Sequence, residues 1–364
     1  MKNIFNYIKQ YGNKKFLEEP FNDVDNLVFA SLSYVDFDID KVNNLTIEEI
    51  ANNYFLSHTK KQINSNIIAV KGAVKILDSI KNTARYRDLI VTNYEYISSD
   101  ETQFCAMNIK VDSKTNYISF EGTDHLISGW KEDFELAYKF PVKAHELAIK
   151  YLNKNIKLSS GKIIVGGHSK GGNLALVSSM YCHFWKRKKI IKIYNNDGPG
   201  LRKKQIESKK YKQVEHILEH IIPNYSFIGL LLRHGDNYKV VYSYESGILA
   251  HDLTTWKIED KEFVQAKLSF FSRELDSAII KWLDKYNDIE RENFVNSLFD
   301  VCTRAEINNL LDFKADKFSK TIKIIKETKN INQETKRMII DLFKFLIKYC
   351  SNDLKKQIFD RNNR

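Results

Sequence analysis

The sequence predicts an α/β fold with a mostly parallel sheet, on three observations. Short apolar runs of strand type alternate with helical patterns between Asp88 and about Asp260, the order that builds a parallel sheet. One run, Ile163-Ile164-Val165, leads into Gly166-Gly167-His168-Ser169-Lys170-Gly171-Gly172, and the small-residue segment Asn173 to Ser179 then reads as the start of a helix. Beyond Asp260 the strand runs cease and apolar residues recur at helical spacing.

The elements follow in order. Residues 1–80 read mainly as helix, with Val24, Leu27, Val28 and Leu32 on one stripe and further helices from Ile47 to Tyr54 and from Ile67 to Ile80. This segment is expected to pack on the core in a structural role. Leu89 to Tyr96, Phe104 to Val111 and Tyr117 to Phe120 are β-rich runs separated by polar turns. Helices are expected around Trp130 to Phe134 and from Val142 to Leu152. After the glycine-rich stretch come strands from Ile190 to Tyr194, Val214 to Ile222 and Tyr238 to Tyr244, with a polar helix around Gln205 and a loop from Ser246 to Trp256. The organisation is therefore an N-terminal helical segment (1–80), an α/β core (81–260) and a C-terminal helical region (261–364). In that last region Leu275, Ile279, Trp282 and Tyr286 form one stripe, and Ile339, Leu342, Phe343 and Leu346 another. The basic segment Phe343 to Lys356 has the make-up of a membrane-surface helix, although packing in a bundle is the commoner fate of such a stripe.

Composition excludes several classes. No apolar run approaches the ~20 residues of a membrane span, and the first thirty residues carry Lys2, Lys9, Lys14 and Lys15 with no apolar signal core. A soluble, cytoplasmic protein is expected. Cys105, Cys182, Cys302 and Cys350 lie far apart with no C-x-x-C pair, so they read as core thiols. The net charge of +11 is concentrated in runs such as Lys186-Arg187-Lys188-Lys189 and Arg202-Lys203-Lys204. Such a surface suits peripheral contact with an anionic membrane, and solvation alone is the plainer reading. No nucleic-acid module is spelled out, and no nucleic-acid partner is expected. Neither the P-loop nor the dinucleotide-binding spelling occurs in the glycine-rich stretch, and no cofactor or metal is expected.

Gly167, Ser169 and Gly171 spell G-x-S-x-G, the nucleophile elbow, in which a serine on a strained strand-to-helix turn projects its hydroxyl from the sheet. A serine hydroxyl needs a base to take its proton, and the base needs a carboxylate to orient it. In the fold that carries this elbow the chain order is serine, acid, histidine. The histidines after Ser169 are His183, His216, His220, His234 and His251. His183, read as lying on the elbow helix, should point away, and His251 sits in the loop after the last strand, where the base belongs; His234 is the reserve. Asp197 ends the strand after the elbow, within Asn195-Asn196-Asp197-Gly198-Pro199-Gly200, at the carboxyl edge where ligands of open α/β sheets bind. It is the first choice for the acid, with Asp236 next. An oxyanion hole needs two backbone donors; Lys170, after the nucleophile, and Thr123, after Gly122 at the end of an earlier strand, are placed to supply them.

His216-Ile217-Leu218-Glu219-His220 also spells H-x-x-E-H, a zinc signature that requires a helix. The α/β alternation asks for a strand there, on which the two histidines stand roughly 13 Å apart, too far to share an ion.

Tyr117 to Asp124, Gly129 to Asp133, Gly167 to Ala175, Asn196 to Gly200, and His251-Asp252 with Trp256 together resemble an uncharacterised lipase-like family of Firmicutes, itself similar to the class 3, fungal-type lipases. The resemblance spans roughly residues 20–260. It implies an α/β-hydrolase fold, Ser169 as nucleophile, His251 as base, and Thr123 and Lys170 at the oxyanion hole. Class 3 lipases place their acid just before the segment matching Ser226 to Leu230, and this chain has Asn224, Tyr225 and Ser226 there. Asp197 instead resembles the acid of pancreatic-type lipases, one strand earlier. The expected function is hydrolysis of a carboxylic ester, a lipid or acyl ester, by a Ser-His-Asp triad. The alternative is a catalytically weak hydrolase-like scaffold that binds a partner or an anionic membrane.

Overall fold

The computed structural model describes residues 1–65, 68–99, 102–123, 127–235 and 237–305, with isolated positions between 323 and 337. Asp236, Cys350 and the stripe from Ile339 to Leu346 lie outside the described residues. The chain forms two compact units, one of residues 1–122 with 143–276, the other of residues 123–142 with 277–364.

The first unit is built on an eight-stranded sheet in sequence order: β1 (Leu45–Thr46), β2 (Ile90–Ser98), β3 (Gln103–Lys110), β4 (Thr115–Phe120), β5 (Lys162–His168), β6 (Ile190–Asn196), β7 (Leu218–Pro223) and β8 (Tyr238–Val241). The first three pairings are antiparallel and the four from β4 to β8 are parallel. The switch falls at β4, because the turn after β3 is too short for a crossover whereas helices follow β4 and β5. The strands run as expected, with four adjustments. β1 lies within residues 1–80, a segment read as helical, where Leu45 and Thr46 pair with Val91 and Ile90. Residues 215–217 form a 3-10 turn, so β7 begins only at Leu218. β8 stops at Val241, because Tyr242 exchanges backbone bonds with Val264 and Lys257 on the returning chain. A short hairpin of Ile258–Glu259 and Glu262–Phe263 continues strand structure past Asp260.

Buried side chains on both faces of β4, β5 and β6 explain the unbroken apolar runs. The N-terminal helices cover one face: Asp23–Leu32 is capped by Asn22, whose side chain accepts from Val24 and Asp25 N–H, and its Val24, Leu27, Val28 and Phe29 are fully buried. The helix carries polar groups inward as well. Asn26 exchanges two side-chain bonds with Asn196 (2.8 and 3.1 Å) and accepts from the Tyr117 hydroxyl at 2.8 Å, while Asn196 Nδ2 donates to the Gly167 carbonyl at 2.9 Å. One amide network thus joins this helix to β4, β5 and β6. A second centre is ionic. Asp25 and Arg85 are both buried and paired, and Asp25 also accepts from Tyr86 (2.6 Å) and Tyr7 (3.1 Å) hydroxyls.

In the second unit, helix Asp288–Arg304 lies against helix Ile127–Glu135, with Phe134 and Phe299 edge to face at 5.6 Å. Among the described residues no helix is long and apolar enough to cross a membrane.

Removing one partner of a buried ion pair strands the other. Arg85→Met should therefore lower the unfolding free energy by about 3–5 kcal/mol, read by urea denaturation; Tyr7→Phe, which leaves the charges paired, should cost far less.

Candidate functional site

The site is assembled at the carboxyl ends of β5, β6 and β7. After His168 the chain turns abruptly into the helix Lys170–Tyr181, and Ser169, the residue at the turn, has φ 58° and ψ −134°. That is a backbone region costly for any residue but glycine. The turn is that tight because the helix start is pressed on β4: a Cβ at Gly171 would stand 2.1 Å from the Phe120 carbonyl oxygen. A Cβ at Gly122 would meet the Tyr34 hydroxyl at 2.0 Å and Ser169 Cβ at 2.9 Å, so the segment after β4 passes directly beside the serine. Ser169 is held by its own N–H on the Asn196 carbonyl at 3.0 Å. Lys170 occupies the first helical position, whose N–H has no acceptor within the helix. Its side chain turns aside, and Nζ donates to the Gln103 carbonyl at 3.2 Å. Thr123, next after Gly122, is buried, and its Oγ1 has no hydrogen-bond partner among the described residues.

Asp197 follows β6 with φ 49°, a second non-glycine residue in the left-handed region. It is fully buried. Oδ1 accepts from the Ser226 hydroxyl at 2.5 Å and from the Gly229 N–H at 3.1 Å, and Oδ2 lies 2.6 Å from His251 Nδ1. Burial pushes the carboxyl well above its usual range, and the Ser226 and Gly229 donors oppose that rise. The loop Asn224 to Ser226, which has no carboxylate of its own, supplies the hydroxyl that holds Asp197.

His251 ends the 3-10 turn Gly247–His251, which follows β8, and is 6% exposed. Its carbonyl lies 2.8 Å from His168 Nε2 and its ring 4.2 Å from the His168 ring. The Trp256 indole N–H holds the preceding carbonyl, that of Ala250, at 2.9 Å. Asp197 and His251, 54 residues apart in the chain, therefore meet directly.

The other histidines fall elsewhere. His183 is exposed beyond the end of the elbow helix, which stops at Tyr181, rather than on it. His216 is exposed on the 3-10 turn and His220 buried on β7, and Glu219 between them is paired at 2.6 Å with both Lys192 and Lys239. The H-x-x-E-H string thus lacks the helix its zinc chemistry needs. His234 faces His220 instead, ring centroids 5.0 Å apart. Residues that sequence reasoning did not single out complete the surroundings. His145 Nε2 lies 2.6 Å from Asn173 Oδ1, and Asn173 Nδ2 donates to the Pro199 and Gly200 carbonyls, which ties the elbow helix to the Asp197 turn. A polar residue in an otherwise small-residue helix was the one available signal.

A mostly parallel sheet, flanked by helices on both sides and carrying a serine at a strained strand-to-helix turn, defines the α/β-hydrolase fold. The Mbeg1-like family model matches residues 80–300, well over half of the sequence, and the chain belongs to that family. No curated protein matches the sequence. Among solved structures, M37 lipase is similar with a TM-score of 0.39 and 16% identity over 72% of this chain and 81% of that one. Lipase II from Rhizopus niveus is similar at 0.32 and 18%, over 42% and 63%, and the lipase from Rhizopus microsporus var. chinensis at 0.34 and 16%, over 57% and 82%. These are distant likenesses, and the fold stands on the strand order and elbow of the chain itself.

Burial holds the His234 imidazole down from 6.5 to about 4. It also holds His220 well below its ordinary value, and the His234 charge lowers it further. Both are depressed groups, so the stability linked to them is complete above pH 6.5 and is lost as the pH falls toward about 4, where the unfolded chain binds protons that the folded one refuses. The melting temperature should fall through that window, and His234→Gln should flatten the fall by roughly one proton's worth of slope, measured by thermal unfolding against pH.

Proposed function

We propose that the protein is a serine hydrolase that cleaves a carboxylic ester, with Ser169 as nucleophile, His251 as general base and Asp197 as the orienting acid. The observation that supports it most directly is the 2.6 Å pairing of His251 Nδ1 with a fully buried Asp197 carboxylate, in a chain that also holds Ser169 in a strained strand-to-helix turn. With Nδ1 committed to the carboxylate, the neutral ring presents Nε2 as the acceptor for the serine proton. In acylation Oγ of Ser169 bonds to the ester carbonyl carbon, its proton passes to His251, and the same proton leaves with the alcohol. Water then repeats the sequence to release the acid. The imidazolium formed on the way is matched by the Asp197 charge, which the low-dielectric surroundings strengthen.

For the developing oxyanion the N–H groups of Lys170 and Thr123 remain the proposed donors, since a main-chain donor needs no reorientation as charge develops. A lipid or acyl ester is the substrate class the resemblance to lipases favours. The competing reading, a hydrolase-like scaffold that binds a partner or an anionic membrane, predicts a folded protein with an inert serine.

Labelling by a fluorophosphonate separates the two. Wild type should label at one site, Ser169→Ala not at all, and His251→Ala only marginally. Asp197→Asn should slow labelling about 10³–10⁴-fold, because the amide favours the wrong imidazole tautomer. A folded wild type that does not label, or labelling that survives Ser169→Ala, overturns the hydrolase reading in favour of the scaffold.

A further inference from the structure

A second histidine stands among the groups just described, and the reaction as written does not use it. His168 is the last residue of β5, one position before Ser169, and is 4% exposed. Its Nε2 lies 2.8 Å from the His251 carbonyl oxygen and its Nδ1 2.9 Å from the Tyr34 hydroxyl. Its ring leans on the His251 ring, centroids 4.2 Å apart and planes at 34°.

These contacts fix the proton. A carbonyl oxygen only accepts, so Nε2 carries hydrogen and donates to His251. Nδ1 of the neutral ring is then an acceptor, and the Tyr34 O–H fills it. The Tyr34 hydroxyl has a second short contact, 3.1 Å to the His168 carbonyl. Were its proton spent there, Nδ1 would need a proton of its own to meet the phenol oxygen. That would place an imidazolium against the very ring that must become positive when Ser169 is deprotonated, a repulsion the buried setting magnifies. The tautomer protonated at Nε2 alone avoids it.

The donor acts on a part of the site that lies outside the strand ladders, since His251 ends a 3-10 turn. Asp197 restrains its ring, whereas its main chain is restrained by Trp256 through Ala250 and by His168 directly. A base must sit within about 0.5 Å of its productive position to work. We propose that His168 is a positioning residue: its Nε2–H fastens the base loop to the strand that carries Ser169, with Tyr34 setting its tautomer, so that nucleophile and base are held in one frame. This rests on the hydrolase reading above.

The glutamine and asparagine variants test it, since both are small polar changes. His168→Gln places an amide N–H where Nε2 was, while the side chain of His168→Asn reaches only as far as Nδ1. With p-nitrophenyl butyrate, H168N should lower kcat about 30-fold with KM within roughly twofold, as a displaced base does, and H168Q should recover most of that loss. Fluorophosphonate labelling should follow kcat. A readout independent of turnover is the low-field proton resonance of the His251–Asp197 pair, assigned by its absence in His251→Ala. It should broaden or vanish in H168N and persist in H168Q, with melting temperatures alike. Equal behaviour of the two variants in rate and resonance, whether both near wild type or both impaired, overturns the proposal. Should H168N fail to fold, Tyr34→Phe takes its place, with a smaller loss of kcat and a weakened resonance expected, and no change in either overturning it. If wild type neither hydrolyses the ester nor labels, the hydrolase reading falls, and the resonance alone then decides whether His168 holds the His251 loop.

Discussion

The first turn of the elbow helix lies so close to the end of β4 that no side chain fits between them. Gly171 touches the Phe120 carbonyl and Gly167 the Gly171 backbone, and a Cβ on either would overlap backbone atoms. The rest of the site depends on that approach. It leaves one residue to reverse the chain, and Ser169 does so in a conformation that costs on the order of 1–3 kcal/mol. In return the Ser169 Cβ is set at the turn itself, close to Gly122 in the segment after β4.

Strain of this size persists only where surrounding contacts over-determine it, and here they are polar. The Asn196 carbonyl takes the Ser169 N–H, and the Asn196 side chain holds the Gly167 carbonyl and Asn26. Asn26 belongs to a helix and stands 170 residues earlier in the chain, so the N-terminal segment is built into the floor of the site. Each amide is buried with its partners supplied, which turns a costly burial into a stiff frame.

The acid shows the same dependence on position. Asp197 leaves β6 in the left-handed region, which swings its carboxylate toward the β7 end, and Ser226 and Gly229 then take one oxygen so that the other is left for His251. Desolvation alone would favour the neutral acid; the converging donors favour the carboxylate. Ser226 thus has a physical role, as a donor to a carboxylate that arises one strand earlier.

Much of the fold was legible because each part of it is local. Alternation of apolar runs with helical stripes predicts β2 to β8 in order, the glycine spacing around Ser169 predicts the strand-to-helix turn, and the run after the last strand places His251 in a loop. Close approach of strand and helix leaves its trace in glycine, and a buried strand leaves its trace in a continuous apolar run, so neighbouring residues suffice to read both. Choosing Asp197 over Asp236 from the sequence rested on the same kind of argument and stayed open, since a carboxylate at a turn looks alike whether or not a histidine faces it. What only the tertiary structure decided are the pairings across large separations: Asp197 with His251 and Ser226, Asn26 with Asn196, Tyr34 with His168, and His168 with the His251 carbonyl. Single hydrogen bonds between distant residues impose no periodicity and need no particular neighbours in sequence. They exist because the sheet brings strand ends together, and only the assembled sheet can say which ends meet.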